Sequence, residues 1–66
     1  MSVAKVIEIT ASSPTSFADA VKAGITKASE TVHGIRGAWV SEEYAVVENN
    51  EVTEFRVTMR VSFVLD

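Results

Sequence analysis

Cysteine is absent from this 66-residue chain, and histidine, proline and tryptophan each occur once. Without cysteine the chain forms neither disulfide bonds nor thiolate metal sites. The lone histidine, His33, cannot by itself supply the ligand set of a structural zinc site. Composition therefore excludes disulfides, thiolate metal sites and a structural zinc site, supports on which very small domains commonly depend.

Long apolar segments and clustered positive charge are missing as well. No run approaches the ~20 apolar residues of a membrane-spanning helix, and the N-terminus lacks a basic stretch followed by a long apolar region. We therefore expect a soluble, cytoplasmic protein without a membrane partner. Nine Asp and Glu against six Lys and Arg give a net charge of −3. This balance argues against a nucleic-acid partner, which calls for clustered Lys and Arg.

Apolar side chains, by contrast, make up 47% of the chain, which argues against disorder. The length allows a single domain over residues 1–66. The core of so short a chain supplies only about 3–5 kcal/mol. Because neither a disulfide nor a thiolate metal site is available, self-association is the support that remains.

The first half of the chain predicts a strand followed by a helix. Residues 3–11 are rich in Val and Ile, as strands are. We expect Ser13 to cap a helix over residues 14–32, with Gly34 in the left-handed conformation after its end. Gly24 weakens a helix by up to ~1 kcal/mol relative to Ala, so we expect it to mark a close approach to the sheet. The apolar stripe of this helix is Phe17, Val21, Ile25, Ala28 and Val32.

The second half predicts a β-hairpin, because the hydrophobic period changes to two over residues 35–47 and 53–65. Asn49-Asn50 suits the two-residue turn. Counting outward from this turn places three pairs on the apolar face: Tyr44–Phe55, Val40–Met59 and Ala38–Val61. It places three on the opposite face: Trp39–Arg60, Glu43–Arg56 and Ala45–Glu54. Because Glu42 then falls on the apolar face, we expect a bulge at residues 41–43 that shifts the pairs nearest the turn.

These elements define an α+β fold with the order β-α-β-β. The economical arrangement is a three-stranded antiparallel sheet, with the last strand in the centre, wrapped around the helix. Strands of about 13 residues span ~43 Å, whereas the helix spans only ~28 Å. We expect a second copy of the chain to cover the apolar residues that extend past the helix: Phe63, Leu65, Tyr44 and Phe55.

Trp39 falls on the sheet face away from the only helix, next to Arg60 and Arg56. One interpretation is an interface residue, stacked by Arg60 in a cation–π contact and covered by another copy. The other is a ligand pocket, in which the indole receives a flat ring and guanidinium groups meet phosphate or carbonyl oxygens. Both interpretations hold if the ligand pocket lies at the interface between copies.

With this layout the chain resembles the dodecins. The resemblance covers nearly all of the chain and rests on the segments VAKVIEI, SSPTSF, ASETV, GIRGAWV and FRVTMRVSFVLD. It implies a β-α-β-β protomer assembled as a hollow shell of twelve subunits. It also implies a storage or buffering protein, not an enzyme, whose flavin-binding members hold riboflavin-type rings between subunits.

Two positions depart from the flavin-binding pattern. Gly37 stands where those dodecins place the tryptophan that stacks on the flavin, and Arg56 stands where they place a glutamine that bonds the ring edge. Arginine donates hydrogen bonds but cannot accept them. Trp39 is two residues beyond Gly37 on the same face, displaced ~6.6 Å along the strand. It offers stacking in a shifted pose.

We therefore predict a homo-oligomer that binds or stores a planar ligand, riboflavin or FMN, at interfaces lined by Trp39, Gly37, Arg56 and Arg60. The alternative is a flavin-free assembly with a structural or cation-binding role. Its candidate ligands are carboxylates near the hairpin turn, Glu42, Glu43, Glu48, Glu51 and Glu54. Twelve copies would multiply the negative charge of the chain twelvefold.

A catalytic role has little support in the sequence. His33 is the only imidazole, and no serine or threonine has a base at a predictable spacing. Ser2 occupies the position at which tautomerase oligomers of similar size use an N-terminal proline. A small enzyme dependent on His33 is the third hypothesis.

Overall fold

The computed structural model describes residues 3–65 and has the predicted order of elements. It contains strand β1 (Val3–Ser13), helix α1 (Phe17–Ala28), strand β2 (Ile35–Glu48) and strand β3 (Glu51–Leu65). The strands form one antiparallel sheet in the order β1-β3-β2. The predicted α+β fold, with the last strand in the centre, is confirmed.

The core lies where α1 packs on β1 and β3. Within residues 3–65 the fully buried apolar residues are Ala20, Val57, Met59 and Val61. Partly buried side chains surround them: Ile7, Ile9, Ala11, Phe17, Val21, Ile25 and Ile35. Strand β2 is exposed over most of its length, since the helix does not cover it. No helix within residues 3–65 has the length and apolar character needed to span a membrane.

The helix begins three residues later than predicted. Ser16, not Ser13, is the N-cap, because its Oγ accepts a hydrogen bond from the Asp19 backbone N–H at 2.9 Å. Ser13 ends β1 instead and is 2% exposed. Its hydroxyl accepts from the Thr15 N–H at 2.9 Å and donates to Asp19 Oδ2 at 2.7 Å. The Pro14 ring therefore lies in the connection and not in the first helical turn.

The helix also ends earlier than predicted, at Ala28 instead of Val32. The C-cap Ser29 N–H donates to Ile25 O, and the chain continues in turns through Thr31. Gly34 does adopt a left-handed backbone, with φ of 76°. It lies in the link to β2, where its carbonyl accepts a hydrogen bond from the Val64 N–H at 3.1 Å. The left-handed glycine was predicted correctly and its role as the helix cap was wrong.

The hairpin turn is Asn49-Asn50, as predicted. Their φ values of 52° and 64° are both positive, which is the geometry of a type I′ turn. Asparagine tolerates this conformation better than most residues with a side chain. The pairs next to the turn are Val47–Val52 and Glu48–Glu51.

The expected bulge lies at Ser41, between the pairs Val40–Met59 and Glu42–Thr58. The Ser41 hydroxyl donates to the Thr58 carbonyl oxygen at 3.1 Å, so the inserted residue is itself hydrogen-bonded to β3. Pairs on the far side of the bulge keep the predicted register: Val40–Met59, Trp39–Arg60 and Ala38–Val61.

Three predicted pairs are wrong: Tyr44–Phe55, Glu43–Arg56 and Ala45–Glu54. They lie beyond the bulge, and one inserted residue reverses which face each following side chain occupies. The observed pairs are Glu43–Val57, Tyr44–Arg56, Ala45–Phe55 and Val46–Glu54. Glu42 and Tyr44 therefore lie on the face away from the helix, and Glu43 lies on the face of Val57. A second irregularity, at Thr53 of β3, restores the simple register at the turn.

The sheet extends well past the helix, as expected. The described chain has extents of 52 × 20 × 13 Å, whereas a helix of 12 residues spans about 18 Å. One residue expected to be uncovered is covered within the chain: the Phe55 ring packs edge-to-face on Phe17, with centroids 5.1 Å apart. Phe63 is half-buried, and Leu65 is exposed.

Gly24 marks the close approach that its position in the helix predicted. A Cβ at this residue would lie 2.8 Å from Met59 Cε and 2.9 Å from Ala11 Cβ, too close for an unstrained contact. The missing side chain thus lets α1 settle onto both β1 and β3.

Gly24→Ala is expected to lower the free energy of unfolding by about 1–2 kcal/mol, because overpacking exceeds the gain in helix propensity. Gly37→Ala is the matched control, since a Cβ there meets nothing within 4 Å. Urea denaturation at one fixed protein concentration measures both variants. Equal stability of the two variants would contradict the close approach.

Candidate functional site

The candidate site lies on the outer face, defined here as the sheet face opposite α1. Strand alternation puts the residues between the buried positions of β3 on this face. Three rows of paired residues cross it from β1 through β3 to β2: Glu8–Arg60–Trp39, Thr10–Thr58–Glu42 and Ser12–Arg56–Tyr44.

Trp39 and Arg60 form the predicted cation–π contact. The Arg60 Cζ atom lies 5.7 Å from the centroid of the indole, within the range of a favourable interaction. Strand register produces this contact, because the two residues are directly paired. The Trp39 side chain is nevertheless 57% exposed, which is a large apolar surface to leave in water.

Next to Trp39 the outer face has an open cavity of about 300 Å³. Its lining residues are Arg36, Gly37, Ala38, Trp39 and Ser62. A Cβ built on Gly37 would meet nothing within 4 Å, so the space above this glycine is unfilled. Cavities that hold small ligands start at about this volume.

Arg36 lines this cavity because of a further bulge in β2. Ile35 pairs with Phe63 and Gly37 pairs with Ser62, so Arg36 is an inserted residue without a partner on β3. Bulges commonly redirect side chains near sites. Arg36 was missed as a site residue, although an isolated glycine inside a strand pattern, here Gly37, is a signal for a bulge.

Arg56 is held elsewhere on the outer face. Its Nε donates to Glu54 Oε1 at 3.0 Å. This hydrogen bond is the main reason that the pKa of the Glu54 carboxyl lies below its ordinary value of 4.5, and the nearby Ser12 hydroxyl adds to the effect. The same contact raises the pKa of the Arg56 guanidinium. Since Arg56 is four residues from Arg60 along β3, about 13 Å, the structure does not bring it to Trp39.

The carboxylates near the turn are spread over both faces of the hairpin. Glu42 lies on the outer face and Glu43 on the helix side, whereas Glu48 and Glu51 pair beside the turn. Thr53 Oγ1 donates to Glu48 Oε2 at 3.2 Å. Within residues 3–65 no three His, Cys, Asp or Glu side chains converge as a group that could hold a metal ion.

His33 lies in the link between α1 and β2, where it lines a cavity with residues 31–34 and 63–65. The neighbours in that cavity are mainly apolar, among them Val32, Phe63 and Leu65. This placement separates the imidazole from the Trp39 cavity, whose lining residues are different.

Comparison with known proteins places the chain in a family. The family model described as Dodecin matches residues 3–66. The calcium dodecin of Mycobacterium tuberculosis is 38% identical over 63 residues, which cover 96% of this chain and 89% of that protein. The chain therefore belongs to the dodecin family.

Solved structures agree with this assignment. The dodecin from Streptomyces davaonensis superposes with a TM-score of 0.94 at 31% identity, covering 98% of this chain and 96% of that one. The crystal structure of the M. tuberculosis calcium dodecin, described as a calcium-chelating antigen with a novel calcium-binding site, gives a TM-score of 0.83 at 34% identity. The two chains are covered to 97% and 91% in that comparison.

Arg56→Gln is expected to return the pKa of Glu54 towards 4.5, because the largest cause of its lowering is removed. Because its pKa is lower in the folded state, ionised Glu54 stabilises the fold at pH values above its unfolded-state pKa. This stabilisation is lost as the pH falls through the folded-state pKa. NMR titration of the Glu54 carboxyl carbon measures the change. Arg60→Gln is the control and leaves this pKa in place; an equal rise in both variants would contradict the local hydrogen bond.

Proposed function

We propose that this dodecin is a non-enzymatic binding or storage protein that assembles with identical copies and holds a planar ligand of the flavin type between them. Trp39 is the observation that supports the proposal. Its indole is more than half exposed, is contacted by Arg60 and borders an open cavity on the face that the helix does not cover. Aromatic side chains in such settings are typical of interfaces and ligand sites.

Self-association follows from the apolar surface that one copy leaves exposed. The exposed large side chains are Val3, Val6, Trp39, Val40, Tyr44, Val47, Val52 and Leu65. They lie along all three strands, so the exposed apolar surface of the described chain extends well beyond the small core under the helix. Burial of such surface stabilises an assembly by about 25 cal/mol per Å² before association costs. A hollow shell of twelve subunits is the assembly that the family resemblance implies.

The cavity at Gly37 supplies room for a flat ring beside the indole. Arg60 is not among the cavity's lining residues, so its guanidinium leaves the cavity side of Trp39 open. A riboflavin or FMN ring stacks on Trp39 in this cavity. Trp39 lies two residues beyond Gly37, which stands at the position of the stacking tryptophan in the family pattern. Arg56 forms an outlying part of the surface, because Glu54 already accepts a hydrogen bond from its Nε.

Trp39→Ala is expected to weaken riboflavin binding about tenfold or more, since stacking of a ring on an aromatic side chain contributes roughly 1–3 kcal/mol. Quenching of riboflavin fluorescence measures the affinity, and light scattering measures the mass of the assembly. Tyr44→Ala is the control, because Tyr44 is equally an exposed aromatic of the outer face but lies two rows away.

An intact assembly that has lost riboflavin supports the pocket. Dissociation of the Trp39→Ala assembly shows instead that Trp39 is only an interface residue. Absence of quenching by the unaltered protein at micromolar concentration contradicts flavin binding altogether.

Calcium storage is the second candidate function. It is favoured by the likeness to the M. tuberculosis calcium dodecin and by the paired carboxylates of Glu48 and Glu51. Calcium takes six to eight oxygen ligands, whereas the described residues of one copy bring no three such side chains together. A site at the hairpin therefore requires carboxylates from neighbouring copies.

The double variant Glu48→Gln, Glu51→Gln is expected to lose most calcium binding, because amide oxygens lack the charge that attracts the ion. Calorimetric titration of chelator-treated protein measures this loss. Glu30→Gln removes a carboxylate from the helix and is the control. Unchanged calcium affinity in the double variant would exclude the hairpin site.

A further inference from the structure

We propose that a groove between α1 and β1 receives the hairpin end of a second copy, defined here as residues 42–54, and that the β2 edge of this hairpin end pairs with the free edge of β1. The inference rests on the proposed function, because self-association is part of it. The groove lies apart from the Trp39 cavity, since no residue lines both.

The groove has a volume of about 650 Å³ and is mainly apolar. Strand β1 lines it between residues 7 and 12, and α1 with the turns after it lines it between residues 23 and 32. Because Ala23, Gly24 and Ala28 have little or no side chain, the helix wall leaves room for side chains from another strand. The apolar lining side chains that are only partly buried are Ile7, Ile9, Ala11, Ala28 and Val32.

Strand β1 borders this groove as a regular edge strand. In the sheet order β1-β3-β2 it has β3 as its one strand neighbour among the described residues. Its 11 pairs with β3 keep a single register without an irregularity, whereas β2, the other edge, has inserted residues at Arg36 and Ser41. When an extended segment adds to such an edge, main-chain hydrogen bonds hold it and alternate side chains enter the adjacent groove.

The hairpin end of another copy matches the groove in length and in the size of its side chains. Beyond the inserted Ser41, β2 is regular over residues 42–48, seven residues against the six of β1 that span residues 7–12. Strand alternation puts Ala45 and Val47 on the helix side of the sheet, and Val47 is 57% exposed within one copy. The groove therefore offers these two small apolar side chains the cover that their own helix does not.

Charge favours this contact over one between two hairpin ends. Residues 42–54 carry five Glu and no Lys or Arg, so two hairpin ends repel each other unless a cation lies between them. Residues 3–32 carry all three Lys of the chain, balanced by two Glu and one Asp. Lys27 lines the groove, and its ion pair with Glu30 at 3.3 Å is exposed to solvent, where such pairs contribute little. A carboxylate of the incoming hairpin end can take the place of Glu30.

Introduced cysteines test which segment pairs with β1, because the chain has no cysteine of its own. Thr10→Cys on the outer face of β1 is combined in turn with Tyr44→Cys, Val46→Cys and Glu48→Cys, the alternate residues on the outer face of the pairing segment. Neighbouring strands lie about 4.8 Å apart, so we expect one of the three double variants to form a disulfide. Within one copy β1 and β2 are separated by β3, about 10 Å, which a disulfide does not span.

Non-reducing electrophoresis measures the covalently linked copies, and the four single-cysteine variants are the controls that should stay unlinked. Absence of a link in all three double variants would overturn the inference. Linking of Thr10→Cys alone would also overturn it, because two β1 edges would then pair with each other.

Filling the groove is the second test. Ala23→Phe is expected to reduce the mass of the assembly to half or less at micromolar protein, because the ring occupies the space that the hairpin end needs. Thr26→Phe is the matched control, since Thr26 is an exposed residue of the same helix that does not line the groove. Light scattering measures the mass, and circular dichroism shows whether each variant keeps its fold.

The two proposals fail in different ways. An assembly of unchanged mass in Ala23→Phe, or an equal loss of mass in both variants, would overturn docking in the groove while the proposed function stands. A single-copy mass for the unaltered protein would overturn the self-association on which the proposed function depends.

Discussion

A helix of 12 residues lies on a sheet in a protomer 52 Å long, and the large exposed apolar surface of the chain follows from this mismatch in length. The helix covers the centre of β1 and β3, where Val57, Met59 and Val61 are buried. It leaves most of β2 and the outer face of the sheet without an apolar partner in the same chain. With no cysteine to cross-link the fold, the exposed apolar surface has to be covered by copies of the chain or remain in water.

The outer face shows how two similar arginines acquire different roles. Arg56 is tied to Glu54, which satisfies its Nε and stabilises the ionised carboxylate. Arg60 lies over the indole of Trp39 in a cation–π contact. Arg56 therefore forms an ion pair, whereas Arg60, four residues further along β3, contacts an aromatic ring. The distinction depends on the neighbours of each arginine, because Glu54 precedes Arg56 on the same strand whereas Trp39 pairs with Arg60 from β2.

Sequence reasoning predicted the architecture because strand period, turn chemistry and strand order are local or nearly local properties. Asn49-Asn50 and the Trp39–Arg60 pair were accessible in this way. The bulge was expected because Glu42 fell on the apolar face of the simple register. The number of pairs that it shifts was not predicted, because no pattern in the sequence indicates the compensating irregularity at Thr53. Ser13 and Ser16 are both suitable caps, and tertiary burial of Ser13 decided between them. Arg36 was missed because it is the inserted residue of a bulge, and strand alternation does not predict the face of an inserted residue.

The irregularities of β2 also affect the free edge of the sheet. In the sheet order β1-β3-β2 this strand is an edge of 14 residues. An uninterrupted edge strand of this length can pair with strands of other chains and so promote aggregation. The insertions at Arg36 and Ser41 divide that edge into short segments, and Glu42 and Glu43 add charge beside the second insertion. These interruptions make the free edge of a single protomer a poorer template for amyloid-like strand addition.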